Sequence, residues 1–368
     1  MKSYLEFERD IKELEQELEK LQDPFNTEGI AEVDTKRISE IQEEIDAKLK
    51  KTYSNLTRWQ KTLVARHEER PKAKFFIENL FSDFIKISGD RSFAEDRSVI
   101  AGFAVFEGKS VLVIGQEKGE DISTRITRNF GMMKPEGYRK CARLMKLADK
   151  FNIPVISFID TPGAYPGVGA EQRGQAEAIA SSIECCMSLK VLNISIIIGE
   201  GGSGGAIALA SSNKIIMLEN SIYSVISPEG CAAILWRDPN KSLEAADAMK
   251  LSAKDLLEYK IIDEIISEPT GGAHRDRDEI LKRVKISIKN SLEEFKTYSR
   301  DEIFEHRKSK FLNIGREKGF ITSSSIQSSL GTKENYLNIV KRFIFKNKFI
   351  ASIILIVFVG LIFLNIIL

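Results

Sequence analysis

The sequence predicts an α/β domain made of strand–strand–helix units, and three observations carry that expectation. "VIAGFAVFEGKSVLVIGQEKG" (99–119) is two apolar runs split by "EGKS", the pattern of a hairpin. "KIIMLEN" and "SIYSVIS" are again two strands with only a turn between them. Helical stretches follow such pairs and open with proline, Pro135 in "KPEGYRKCARLMKLADKFN" and Pro228 in "PEGCAAILW". Proline suits the first helical turn because its missing N–H would have had no partner there.

The elements are expected in the following order. Residues 4–22 place Ile11, Leu14, Leu18 and Leu21 at three- and four-residue steps, and residues 38–49 do the same with Ile38, Ile41, Ile45 and Leu49. "DPFNTEG" between them supplies breakers, so residues 1–74 read as an N-terminal helical hairpin with a narrow apolar seam. Such a seam can pair with itself, with a partner, or lie on its own domain. Residues 75–318 form the α/β domain. Within it the paired strands and the Pro135 helix come first. "IPVISFIDTPGAYPG" is a buried strand ending at Asp160 and breaking into a Pro/Gly loop, and "AEQRGQAEAIASSIECCMSL" is helical. A β-branched run then ends in glycines, "SIIIGEGGSGGAIALA", and the glycines open a helix of roughly ten residues.

Composition narrows the function classes. The chain has 368 residues and a formal charge of +1, so no global basic field points to nucleic acid. Cys141, Cys185, Cys186 and Cys231 show no C-x-x-C spacing, which argues against a zinc ribbon or a disulfide framework and for reduced core thiols, with no metal site in this chain. "MKSYLEFERDIKELE" lacks the apolar core of a secretory signal, so the domain is expected in the cytoplasm.

The glycine loop admits three chemistries. Gly199, Gly201 and Gly204 fit G-x-G-x-x-G, with Glu219 where a dinucleotide fold puts its ribose acid. Against it, Glu219 is followed at once by another strand rather than by a crossover helix. Gly201, Ser203 and Gly205 fit the G-x-S-x-G nucleophile elbow. That reading needs a histidine base, and His67 precedes the domain while His274 and His306 sit in polar stretches expected at the surface. The third reading uses main chain alone: Gly204 and Gly205 aim amide N–H groups at a developing oxyanion, and Ala206, Ile207, Ala208 and Leu209 root the helix in the core. No Gly-Lys-Ser/Thr follows, which excludes a Walker-type phosphate loop.

Repeated strand–strand–helix units with an amide oxyanion hole describe a crotonase-like spiral. "FGMMKPEGYRKCARLMKLADKFNIPVISFIDTPGAYPGVGAEQRGQAEAIA", "IIIGEGGSGGAIALA" and "YSVISPEGCAAILW" resemble the alpha subunits of bacterial multisubunit acetyl-CoA carboxylase carboxyltransferases, from the N-terminal helices to about residue 318. The resemblance implies transfer of a carboxyl group from carboxybiotin, held on a biotin carboxyl carrier protein loaded by biotin carboxylase, to acetyl-CoA, giving malonyl-CoA. It implies a homologous beta subunit that carries a zinc ribbon and most of the coenzyme A contacts, in an α2β2 assembly. By the same resemblance the oxyanion hole falls on Gly204 and Gly205 with Ala206 adjacent. Walls of the biotin side fall on Thr161, Pro162, Gly163, Ala164, Tyr165, Pro166 and Gly167, and on Ser227, Pro228, Glu229 and Gly230.

The end of the chain departs from that family. Residues 319–348 begin with the polar, serine-rich "ITSSSIQSSLGTKEN", the composition of a flexible linker, and reach Lys341, Arg342, Lys346 and Lys348. Residues 349–368 carry no charge at all. Twenty helical residues span about 30 Å, a bilayer's hydrocarbon core, and the basic flank predicts a tail anchor holding the domain at the cytoplasmic face of the inner membrane.

Overall fold

A computed structural model describes residues 3–22 and 35–316. The "DPFNTEG" turn, the whole 319–348 linker and the 349–368 segment all lie outside the described residues. Among the described residues no helix is long and apolar enough to cross a membrane.

The strands are β1 (Ser82–Lys86), β2 (Val99–Phe106), β3 (Lys109–Gln116), β4 (Val155–Thr161), β5 (Asn193–Gly202), β6 (Lys214–Leu218), β7 (Ile222–Ser224) and β8 (Glu264–Ile266). The helices are α1 (Arg9–Gln22), α2 (Thr35–Ser54), α3 (Arg58–Ala65), α4 (Ala73–Leu80), α5 (Ile122–Thr127), α6 (Pro135–Lys150), α7 (Val168–Gln172), α8 (Gln175–Ser188), α9 (Ser203–Ala210), α10 (Pro228–Leu235), α11 (Ser242–Met249), α12 (Ala253–Glu258), α13 (Arg277–Glu294) and α14 (Arg300–Asn313). One sheet runs β1-β2-β3-β4-β5-β6-β8, antiparallel across β1, β2 and β3 and parallel thereafter.

The expected hairpin is present. β2 and β3 pair Phe106 with Lys109 around Glu107 and Gly108, both at positive φ, the backbone that a tight right-twisting hairpin requires. Strand–strand–helix order holds for β2–β3 and for β6–β7, whereas β4 and β5 each lead straight into a helix, so the repeat is less regular than the sequence suggested. The single helix expected over "AEQRGQAEAIASSIECCMSL" is two, α7 and α8, broken at Gly174 with φ +80°.

Alternation along β3 explains why its whole run is apolar. Leu112 and Ile114 face one core with Tyr138, Leu144 and Met145 of α6 and with Leu209 of α9. Val111 and Val113 face the other, with Phe76 of α4 and Ile280, Val284 and Ile288 of α13. A sheet covered on both faces removes the polar face that an edge sheet would show. The four cysteines are buried and unpaired.

The helical hairpin closes on its own seam of Ile11, Leu18, Ile41, Ile45 and Leu49, and Leu21 is exposed. Arg275 fastens it to the body through Glu15 (2.7 Å) and Glu8 (3.2 Å). Residues 58–74, expected with this arm, instead bring α3, Arg66, Arg70 and the start of α4 into the body.

Candidate functional site

Three chain segments meet at the C-terminal ends of the central strands. β4 ends in the loop 161–167, β5 in the glycine turn, and β7 leads through Val225 and Ile226 to Ser227. On its side away from β4, β5 has two neighbours laid end to end: Ile194–Ile197 pair with β6, and Glu200–Gly202 pair with Ile222–Ser224 of β7. At the joint the Ile198 carbonyl accepts from Arg70 Nε (2.6 Å), and Arg70 in turn makes a buried ion pair with Glu268 (2.5 Å). Glu268 also accepts from the Asn220 amide at the β6–β7 turn (3.0 Å). The third segment is thus delivered to the glycine turn by main-chain pairing.

The turn itself is a strand-to-helix corner. Ser203 sits at φ +50°, an uncommon conformation for a residue with a side chain. It opens α9 without a side-chain cap, since Gly202 precedes it. The first amides of a helix have no partner inside it, and among the described residues those of Gly204 and Gly205 donate to no group outside it. Ala206 is wholly buried in the core beside Ala208 and Leu209, so its part is to root the helix.

The two glycines are glycine for different reasons. A Cβ on Gly205 would lie 2.6 Å from the main-chain carbon of Gly163 and 3.0 Å from the amide of Ala164, so the loop 161–167 rests directly on it. A Cβ on Gly202 would run into the Pro162 carbonyl. At Gly204 a Cβ would meet only Ile179, at an ordinary 3.4 Å. Thr161 closes its own loop, its hydroxyl donating to the Gly163 carbonyl (2.7 Å). Tyr165 is half-buried under the Lys134 ammonium, 5.0 Å from its ring, and its amide donates to the Met133 carbonyl (3.1 Å). Pro162 and Pro166 are exposed, and Gly167 closes against the Tyr165 ring. Ser227 caps α10 by accepting from the Gly230 amide (3.1 Å), with Pro228 in the first turn.

Beneath the corner lies a chain of charges that sequence reasoning missed. Lys118 reaches Asp160 (2.8 Å) and Glu200 (2.6 Å), and Arg66 reaches Glu200 (2.6 Å) and Glu229 (2.5 Å). Asp160 accepts the Glu200 amide (2.9 Å). Burial alone would raise the Glu200 carboxyl, but Lys118 and Arg66 outweigh it and hold it at about 2. The available signal was a charged residue wedged between an apolar run and a glycine, as in "IGQEKG" and "IIIGEGG".

The histidines correct one expectation. His67 is buried and stacks on His274 with ring centroids 3.9 Å apart, so neither is the surface or extra-domain residue its polar neighbours suggested. His306 packs edge-on against Phe295 at 4.9 Å. None is bonded to Ser203, so among the described residues the elbow-like corner lacks a hydrogen-bonded histidine base. Among the described residues no group of three His, Cys, Asp or Glu side chains is placed to hold a metal.

Residues 4–315 match the family described as "Acetyl co-enzyme A carboxylase carboxyltransferase-like". The "Acetyl-coenzyme A carboxylase carboxyl transferase subunit alpha" of Pelagibacter ubique (strain HTCC1062) is 70% identical over 348 residues, 95% of either chain. Proteins of the same name from Nitrobacter winogradskyi and Zymomonas mobilis are 50% and 51% identical, covering 87% and 86% of this chain and 99% and 100% of theirs. Among solved structures, the transcarboxylase 12S core with methylmalonyl-coenzyme A and methylmalonic acid bound superposes with a TM-score of 0.51 at 18% identity, over 61% of this chain and 42% of that one. That likeness concerns the fold, which is the crotonase-like α/β fold expected from the sequence.

Proposed function

The chain belongs to the acetyl-CoA carboxylase carboxyltransferase alpha-subunit family, and from that premise we propose that its three converging segments form the biotin side of a carboxyltransferase centre. Carboxybiotin, carried in on a separate carrier protein, supplies the carboxyl group that acetyl-CoA accepts to become malonyl-CoA, the first committed step of fatty acid synthesis. The chain's own contribution is charge stabilisation. The amides of Gly204 and Gly205 donate to an oxygen as negative charge develops on it, and pre-aimed donors of this kind contribute roughly 3–4 kcal/mol each. Residues 161–167 and 227–230 flank that position and keep water from competing for the amides. No side chain here acts as a nucleophile. Burial pushes the Cys141 thiol up to about 12 and the Cys185 thiol to about 11, and the histidines lie elsewhere.

The residues fit such a ligand on the observation that carries the proposal: α9 begins with no side-chain cap and, among the described residues, with two amides that bond nothing outside the helix. The acyl-CoA side belongs to a zinc-ribbon-bearing beta subunit in an α2β2 assembly, with biotin carboxylase reloading the carrier. Residues 349–368, wholly uncharged after a basic flank, anchor the enzyme to the cytoplasmic face of the membrane. The test is reconstitution. The purified chain with a beta subunit and carboxybiotin should form malonyl-CoA, and the chain alone should be nearly inactive. Strong malonyl-CoA synthesis by the chain alone would overturn the division of labour. A correctly assembled but inert complex would leave a non-catalytic scaffold, or a subunit for another acyl-CoA, as the better account.

A further inference from the structure

Gln116 ends β3 wholly buried, and its amide Nε2 donates to the carbonyl of Gly205 at 2.7 Å, with Met133 Sδ 3.7 Å away. Its Oε1 is buried with no partner among the described residues. A buried amide with an orphan oxygen costs folding free energy that a methionine of similar volume would not. The Gly205 carbonyl faces the Gln116 donor, so the amide cannot turn over without setting two oxygens against each other.

Gln175 repeats the arrangement across the same point. Its Nε2 donates to the carbonyls of Met133 (2.8 Å) and Tyr165 (3.1 Å), and its own Oε1 is also buried with no partner among the described residues. One glutamine therefore grips the glycine turn, the other grips the 161–167 loop, and both meet at buried Met133. Because Gly205 also carries the main chain of Gly163 against it, the two grips fix one shared contact.

We propose that Gln116 is a positioning residue: by holding the Gly205 carbonyl it fixes the Gly205–Ala206 peptide plane and, through the first turn of α9, the direction of the preceding Gly204 and Gly205 amides. This rests on the oxyanion reading of those amides. Gln116 touches no substrate; it acts through Gly205. Losing its donor frees the first turn of α9 to rotate, lowering turnover while leaving substrate affinity nearly intact.

The experiment compares Gln116→Met and Gln116→Leu, neither of which can donate to the Gly205 carbonyl, in the full chain. Amide hydrogen exchange of residues 199–210 is measured on the chain alone, and kcat and KM on the complex with its beta subunit. The expected result is exchange faster by roughly tenfold, with melting temperature unchanged or raised for Gln116→Met. In the complex, kcat should fall at least roughly tenfold with KM within about threefold. Unchanged exchange in a folded variant would overturn the positioning role, whatever happens to kcat. Faster exchange with unchanged kcat would support the grip on the turn and overturn the oxyanion reading instead. Should Gln116→Met fail to fold, Gln116→Leu carries the same comparison.

Discussion

Arg66 Nη1 lies 2.5 Å from Oε1 of Glu229, joining residues 163 positions apart in the chain. Because Arg66 Nε also binds Glu200, just before the glycine turn, one guanidinium ties the 227–230 segment to that turn. Arg66→Met should leave Glu200 facing Lys118 alone and destabilise the fold by roughly 2 kcal/mol, less than for a fully severed buried pair. Urea unfolding measures this. A double-mutant cycle with Glu229→Gln should show the two changes coupled, and additive effects would mean that Arg66 acts only through Glu200.

Gly204 and Gly205 should separate under the mildest substitution. Gly205→Ala forces its Cβ into the Gly163 main chain and should cut turnover by roughly 100-fold. Gly204→Ala meets only Ile179 and should stabilise the chain by about 0.5 kcal/mol by restricting the unfolded state. Thermal melts together with reconstituted activity check both, and equal damage from the two would mean the loop packing is misjudged.

Lys72 is buried, its ammonium donating to the His67 carbonyl at 3.2 Å. Burial pushes it down to about 8; nearby Asp160 opposes that, and Lys118, Arg70 and Arg125 add to it. A lysine with a lowered folded value holds fewer protons folded than unfolded between about 8 and 10.5, so stability should rise with pH across that window. Lys72→Met should abolish that rise and raise stability at neutral pH by up to about 3 kcal/mol. Denaturant midpoints at pH 7, 8.5 and 10 decide it.

The stacked imidazoles predict the acid side. Burial first, then the positive charge of His67, Arg70, Arg275 and Arg277, pushes His274 down to about 2, and burial lowers His67 as well. His274 therefore stays neutral in the folded state, and the stability it contributes is lost as pH falls below the ordinary value of 6.5. His274→Phe keeps a ring on the stack and should gain about 2 kcal/mol over the parent at pH 5, and little at pH 8. Equal shifts at both pH values would refute this account.

Removal of residues 340–368 should move the protein from the membrane pellet to the supernatant without changing the melting temperature of the rest. A full-length chain already found in the supernatant, without detergent, would refute the anchor.

The sequence carried what local rules can carry. The seams of α1 and α2, the hairpin around Glu107 and Gly108, and the amides opening α9 each follow from periodicity or turn chemistry within one short stretch. The break at Gly174 was hidden because a lone glycine is tolerated in a helical pattern, and only its φ of +80° shows the chain turning there. The burial of His67 and His274 was hidden because each has charged sequence neighbours, while the cover comes from a stacking partner in a distant segment. Arg66, Arg70 and Gln116 were invisible for the same reason: their partners are 134, 128 and 89 residues away. No periodicity encodes such pairings.

The strand bearing the glycines is braced on one flank by β4 and on the other by two strands abutting over Arg70. A corner mounted that way works as a fixed template. Under the proposed reading it offers every guest the same amides, so discrimination among acyl-CoA acceptors would rest with the subunit that docks against it. Variation in what this enzyme class accepts would then accumulate in the docking partner, with this half handed down nearly unaltered.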